Sequence, residues 1–186
     1  MHIGYICNEY PGIASNGGIG SFTKSLGDYL VQRGHSVTVF GVYKNLTKKI
    51  LTRINGVKVI AIPYINIPKV HWEYNRWRLM KLIQKEHQKN NLTILESPDY
   101  QGWLRSLPIK IPSIVRMHNS AKIGLELDLN ISMLPRSIKS EEKSIDHANY
   151  LCAVSKSVAY ASRQTYIEAI RAESDIKMIY NGVNTD

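Results

Sequence analysis

The sequence predicts an α/β fold, a doubly wound parallel sheet of about seven strands with helices on both faces. Three observations carry this reading. Short β-branched runs alternate with helical periodicities along almost the whole chain. Several of those runs are apolar at consecutive positions, as strands covered on both faces are. The chain also opens with an apolar strand, Ile3 to Cys7, which enters a polar loop with a glycine cluster and then a helix.

That helix repeats Ile19, Phe22, Leu26, Tyr29 and Leu30 at three- and four-residue spacing, which gives one apolar face. Gly34 closes it as a C′ glycine. Ser36 to Val42 is the second strand and Val57 to Ile62 the third. Arg76 to Lys89 reads as a helix with Leu79, Leu82 and Ile83 toward the core. Leu92 to Leu95 and Ile114 to Met117 are the fourth and fifth strands. Periodicity is poor up to about Pro135, and Lys139 to Ala148 resumes as helix. Tyr150 to Val154 is a sixth strand, Ser155 caps a helix running to Ala169, and Ile176 to Tyr180 is a seventh strand.

The 186 residues, 1–186, fit a single Rossmann-like domain with a sizeable core. Ligands of such sheets bind beyond the carboxyl ends of the strands. Asn8-Glu9, Glu96 to Tyr100, His118-Asn119, Ser155 and Asn181-Gly182 all fall there.

Composition narrows the class. The two cysteines, Cys7 and Cys152, sit in apolar runs and read as buried thiols of a reducing compartment. No Cys/His spacing resembles a zinc site, and no carboxylate pair suggests Mg²⁺, so neither metal nor cofactor is expected. The amino terminus lacks a signal-peptide pattern, and no apolar run is long enough to span a bilayer. The expected location is cytoplasmic. A formal net charge of +9 points to anionic surroundings: a membrane face, a phosphorylated ligand or nucleic acid.

The glycine loop places bare N–H groups at a positive helix end, a natural site for a diphosphate. It is a poor dinucleotide fingerprint, because Thr23 stands where the third glycine belongs and no carboxylate ends the second strand. It is a poorer P-loop, because Gly-Lys-Ser/Thr is absent.

Gly17-Gly18-Ile19-Gly20-Ser21-Phe22, then Leu26, then Leu30 to Phe40 closely resemble the opening of family-4 retaining glycosyltransferases, enzymes of the two-domain GT-B architecture. The resemblance continues through Glu96-Ser97-Pro98-Asp99-Tyr100, His118, Ala153-Val154-Ser155 and Ile179 to Asn184, in the family's order. It implies that the chain is the amino-terminal, acceptor-binding domain and that a carboxy-terminal nucleotide-sugar domain, missing here, is its partner.

The same resemblance implies roles. Gly17 and Gly18 would approach the donor diphosphate, glycine being needed for close backbone approach. His118 would contact the donor sugar near the reacting carbon. Asn8, Glu9 and Tyr10 lie where the acceptor loop should be; Glu96, Asp99 and Tyr100 line the fourth strand's exit, and Asn119 adjoins His118. A carboxylate can bond a sugar hydroxyl and a tyrosine can stack on a pyranose, although turn chemistry around Pro11 and Pro98 would use the same residues. Arg116 either holds an acceptor phosphate or faces solvent. The family's mechanism, front-side displacement with phosphate assistance, asks for no carboxylate base.

Lys69 to Lys89 combines Trp72, Tyr74 and Trp77 with Arg76, Arg78, Lys81 and Lys85. Aromatic residues beside basic ones suit an anionic membrane surface, and a cationic outer helix face would look the same. The expected partners are thus a nucleotide-sugar donor, a glycan or lipid-linked acceptor of cell-surface polysaccharide or glycolipid biosynthesis, and, on the membrane reading of Lys69 to Lys89, an anionic membrane surface. The alternative is a non-catalytic carbohydrate or nucleotide-sugar binding module with the same fold. Nucleic acid ranks last, since charge alone favours it and no recognition motif is present.

Overall fold

The computed structural model describes residues 1–14, 17–120, 122–123, 135–170 and 176–182, with the side chains of 135–137 excepted. Among them run β1 (His2–Ile6), α1 (Gly18–Gln32), β2 (Ser36–Tyr43), β3 (Ile50–Ile54), β4 (Val57–Pro63) and α2 (His71–Asn90). These are followed by β5 (Ile94–Pro98), β6 (Ser113–Met117), α3 (Pro135–His147), β7 (Tyr150–Ala153), α4 (Lys156–Thr165) and β8 (Ile176–Met178). The hydrogen-bonded strand order is β3-β4-β2-β1-β5-β6-β7-β8, an eight-stranded sheet. The chain divides into two compact units, one of Met1–Leu95, Pro108–Ile111 and Gly182–Asp186, the other of Glu96–Leu107 and Pro112–Asn181.

In the first unit, β1 and β4 pair parallel to β2, with Tyr5 beside Val39 and Phe40 beside Ile60. Val37 to Tyr43 are all buried, the signature of a strand covered on both faces. The extra strand is β3, antiparallel to β4 through a turn at Asn55-Gly56. Both turn residues have positive φ, +48° and +83°, which is the conformation an Asn-Gly hairpin favours. That dipeptide was the available signal for the hairpin.

Helix α1 packs through Gly20, Thr23 and Gly27, with Leu26 and Leu30 beside the core. Tyr29, placed on the apolar face by periodicity, is exposed instead, and the Arg33 guanidinium lies 5.0 Å from its ring centre. Gly20 and Gly27 mark the buried face, and at about 100° per residue Tyr29 lies roughly opposite both, so its side chain points outward. The end is as expected: Gly34 N–H donates to Val31 and His35 N–H to Leu30, each at 3.0 Å.

Helix α2 starts five residues before the expected Arg76, at His71. Leu79 and Ile83 are buried, Leu82 half-buried. Arg76, assigned to a membrane-facing surface, is only 7% exposed; that assignment fails because its side chain lies on the buried stripe with Leu79, Met80 and Ile83.

In the second unit, β6 and β7 pair parallel from Ile114–Tyr150 to Met117–Ala153, and β7 pairs parallel with β8. Asn149 sets the register by accepting from Ser113 N–H at 2.9 Å. Ser155 caps α4 as expected, its Oγ accepting from Val158 N–H at 3.1 Å. Strand β8 stops at Met178, short of the expected Tyr180, and α4 at Thr165, short of Ala169. Of the closing Asn181-Gly182-Val183-Asn184 motif, the last two residues lie outside the described residues.

Candidate functional site

The first unit contributes the loop after β1 and the start of α1. Asn8 Oδ1 accepts from Val42 N–H at 2.8 Å, tying the loop to the end of β2. Gly17 is the N-cap of α1 and offers no side chain to cap it. Glu9 does so from a distance: its Oε1 accepts from Gly20 N–H at 2.8 Å. The carboxylate thus sits at the positive helix end, the position a residue eight before the cap takes only through the fold.

Close packing explains two of the glycines. A Cβ on Gly17 would stand 2.3 Å from Glu9 Oε2, and one on Gly20 would stand 2.0 Å from the Glu9 carbonyl oxygen. Gly18 has open space within 4 Å of such an atom. The first two N–H groups of α1 have no acceptor within the helix, as at any helix start. Tyr10 has no exposed surface, so it presents no face on which a sugar ring can stack. Burial also pushes the Cys7 thiol up to about 11, leaving it inert.

The second unit contributes the exits of β5 and β6. Glu96 lies within β5 and is buried against Arg116, whose Nε and Nη2 donate to its two carboxylate oxygens at 2.7 and 3.2 Å. Arg116 therefore neither faces solvent nor stands open for an acceptor phosphate. Asp99 is fully buried; its N–H donates to the Arg116 carbonyl at 3.0 Å. Its Oδ1 accepts from Tyr100 N–H at 3.0 Å and from His118 N–H at 3.2 Å. Oδ2 is buried with no hydrogen-bond partner among the described residues. Burial above all, and then the Glu141 carboxylate, raise the Asp99 carboxyl to about 7.

His118 is the first residue after β6 and is half-buried. Burial, helped by the Arg116 charge, lowers its imidazole to about 4, so the ring is neutral at physiological pH. A neutral ring offers one donor and one acceptor nitrogen. Asn119 beside it is exposed and Tyr100 half-exposed. In this unit the fold brings Glu96, Asp99, Tyr100, His118 and Asn119 to adjacent strand ends, with Glu96 and Asp99 beneath the surface. A separate cleft of about 500 Å³ is lined by Lys122, Glu142, Lys143, Asp146 and Thr165 among others, and by none of these five residues.

Sequence reasoning missed Glu141, a fully buried carboxylate on α3 in a run that reads as solvated helix. Among the described residues no group of three or more His, Cys, Asp or Glu side chains is arranged to hold a metal ion, and no helix is long and apolar enough to cross a membrane.

Comparison with known proteins adds identity to this geometry. The family model described as Glycosyltransferase Family 4 matches residues 16–186. No curated protein matches the chain. Among solved structures it is similar to a sucrose-phosphate synthase from Thermosynechococcus elongatus, with TM-score 0.73 and 16% identity over 98% of this chain and 48% of that one. It is also similar to the catalytic domain of Starch Synthase IV from Arabidopsis thaliana bound to ADP and acarbose, with TM-score 0.62, 12% identity, and 99% and 52% of the two chains covered. A third is Arabidopsis thaliana UGT89C1 complexed with UDP, at TM-score 0.58 and 13% identity over 96% and 51%. The chain spans about half the length of these three.

Proposed function

Since this chain belongs to glycosyltransferase family 4 and has the Rossmann-like fold of GT-B enzymes, we propose that it is the acceptor-binding half of a retaining transferase that moves a sugar from a nucleotide-sugar donor to a glycan or lipid-linked acceptor. The observation that carries this is His118: a neutral, half-buried imidazole at the carboxyl end of β6, with its N–H fixed by Asp99. Positive charge develops on the sugar as the bond to the diphosphate breaks, and a neutral ring can accept a hydrogen bond there without repelling that charge. The N–H groups at the start of α1, which have no acceptor within the helix, suit the departing diphosphate.

The test is direct. Diphosphate and sugar would be held between this half and a donor-binding half, so the chain alone should bind a nucleotide sugar weakly by calorimetry and transfer none. Robust turnover by the isolated chain would overturn the reading. Weak binding with no turnover even in the full-length protein would favour the non-catalytic binding module.

Two glycines separate packing from ligand contact. Gly17→Val must expel Glu9 from the helix end, so it should cost about 1 kcal/mol, as loss of a cap does, and also weaken donor use. Gly18→Ala meets nothing, so it should leave the melting temperature unchanged and still raise the donor KM in the full-length enzyme. An unaltered donor KM would remove Gly18 from the diphosphate loop.

A membrane contact is proposed on narrower grounds than the sequence offered. Trp77 is 54% exposed and stacks on Tyr74, and Val70 and Ile65 are exposed nearby in sequence. Arg78 is occupied with the Pro63 carbonyl and Trp72 is half-buried, which leaves Lys81 and Lys85 as the exposed cations of the original set. The chain should co-sediment with anionic vesicles and not with neutral ones, less so as salt rises, since screening sets in beyond about 8 Å at physiological ionic strength. Replacing both lysines by glutamine should flatten the salt dependence, whereas Trp77→Ala should weaken binding without changing it. Equal binding to neutral vesicles would remove the electrostatic part.

A further inference from the structure

Glu141 sits within Lys139-Ser140-Glu141-Glu142-Lys143, yet it has no exposed surface. Its carboxylate accepts from three separate elements: Gln101 N–H after β5 at 2.9 Å, Lys122 N–H after β6 at 3.3 Å, and the Tyr166 hydroxyl at the end of α4 at 2.9 Å. Ser144, one turn on, accepts from Leu104 N–H at 3.2 Å. Gly102, at φ +61°, passes so close to α3 that a Cβ would stand 2.1 Å from the Ser140 carbonyl, so this contact admits no other residue.

The two loops fixed in this way are the ones that begin with Asp99 and His118. We propose that Glu141 is a positioning residue for the His118 site, pinning both loops to α3 while Asp99 passes that register to the His118 backbone through its hydrogen bond. The inference rests on the reading of His118 as the residue that meets the donor sugar.

Electrostatics separates positioning from packing. The groups that face Asp99 are Glu141 on α3, Tyr166 just after α4, Cys152 on β7 and His118 just after β6, with Arg116 engaged by Glu96. Of these, Glu141 is the carboxylate that raises Asp99. A carboxyl raised from 3.8 to about 7 by folding contributes stability that is complete below its unfolded value and is lost as pH rises through about 7. Removing the Glu141 charge should move that loss to lower pH.

The experiment follows the side-chain carboxyl of Asp99 and the amides of Gln101 and His118 by NMR in the full chain, with kinetics in the full-length enzyme. In the wild type, both amides should titrate with the Asp99 midpoint near 7. In Glu141→Gln the midpoint should fall, both amide signals should shift, and kcat should drop by about ten- to a hundredfold, the scale of a slightly misplaced group, with donor KM little changed. An unmoved Asp99 midpoint and unchanged kcat, in an enzyme whose His118→Ala variant is impaired, would overturn the positioning role alone. An unimpaired His118→Ala would instead overturn the reading beneath it. Should Glu141→Gln fail to fold, the wild-type titration still decides: amides with no common midpoint would refute the coupling.

Discussion

His118→Ala is expected to lower kcat of the full-length enzyme by about 10²- to 10³-fold, or about 2.7–4 kcal/mol, if its ring supplies one hydrogen bond that strengthens in the transition state. The fold should survive. The bond that fixes this residue runs from its backbone N–H to Asp99, and alanine keeps that donor. Donor KM should change much less than kcat, because the contact is made chiefly as charge develops. The wild-type pH profile carries a second expectation. Burial holds the imidazole near 4, so protonation of His118 should not reduce kcat until the pH approaches that value. An acid limb near 6.5 would mean that the ring titrates as an exposed histidine does, and unchanged kinetics in His118→Ala would make the residue structural.

Glu96→Ala is expected to destabilise the chain by about 3–5 kcal/mol, the scale on which breaking a buried ion pair leaves an uncompensated charge. Glu96 and Arg116 are 7% and 5% exposed and joined by two hydrogen bonds. Arg116 also donates to the Ile179 carbonyl at 3.3 Å, so the guanidinium cannot simply swing out without losing a link to the chain beyond β8. Urea unfolding should show a lower midpoint at constant slope. The double replacement Glu96→Leu with Arg116→Met should recover much of the loss, since a buried pair is seldom much better than well-packed apolar groups. A change below about 1 kcal/mol for Glu96→Ala would show that water reaches the guanidinium. It would also reopen Glu96 as a group that meets the acceptor, the role its place beside Pro98 and Asp99 implied.

The sequence by itself determined the alternation of parallel strands and helices apart from β3, the burial of the sheet on both faces, and the Gly34 and Ser155 helix ends. Each of these is written in neighbours three, four or two residues apart, where periodicity and capping act, whereas the family is written in the order of motifs along the whole chain. It also placed Asn8-Glu9 and His118 at strand ends, because topology sends every parallel strand's carboxyl end to one edge, and Gly17-Gly18 at the start of the first helix. What it left open was the fate of the polar residues gathered there. Glu9 became the cap of a helix that begins nine residues later, Glu96 the partner of Arg116, and Tyr10 a core residue. Glu141, in a run of charges, became the anchor of an amide 40 positions away. A carboxylate looks the same in sequence whether it will meet water, a ligand or a buried amide. Which of these it meets depends on contacts between distant segments, and only tertiary packing makes them, because only there does desolvation force each buried charge to find a partner.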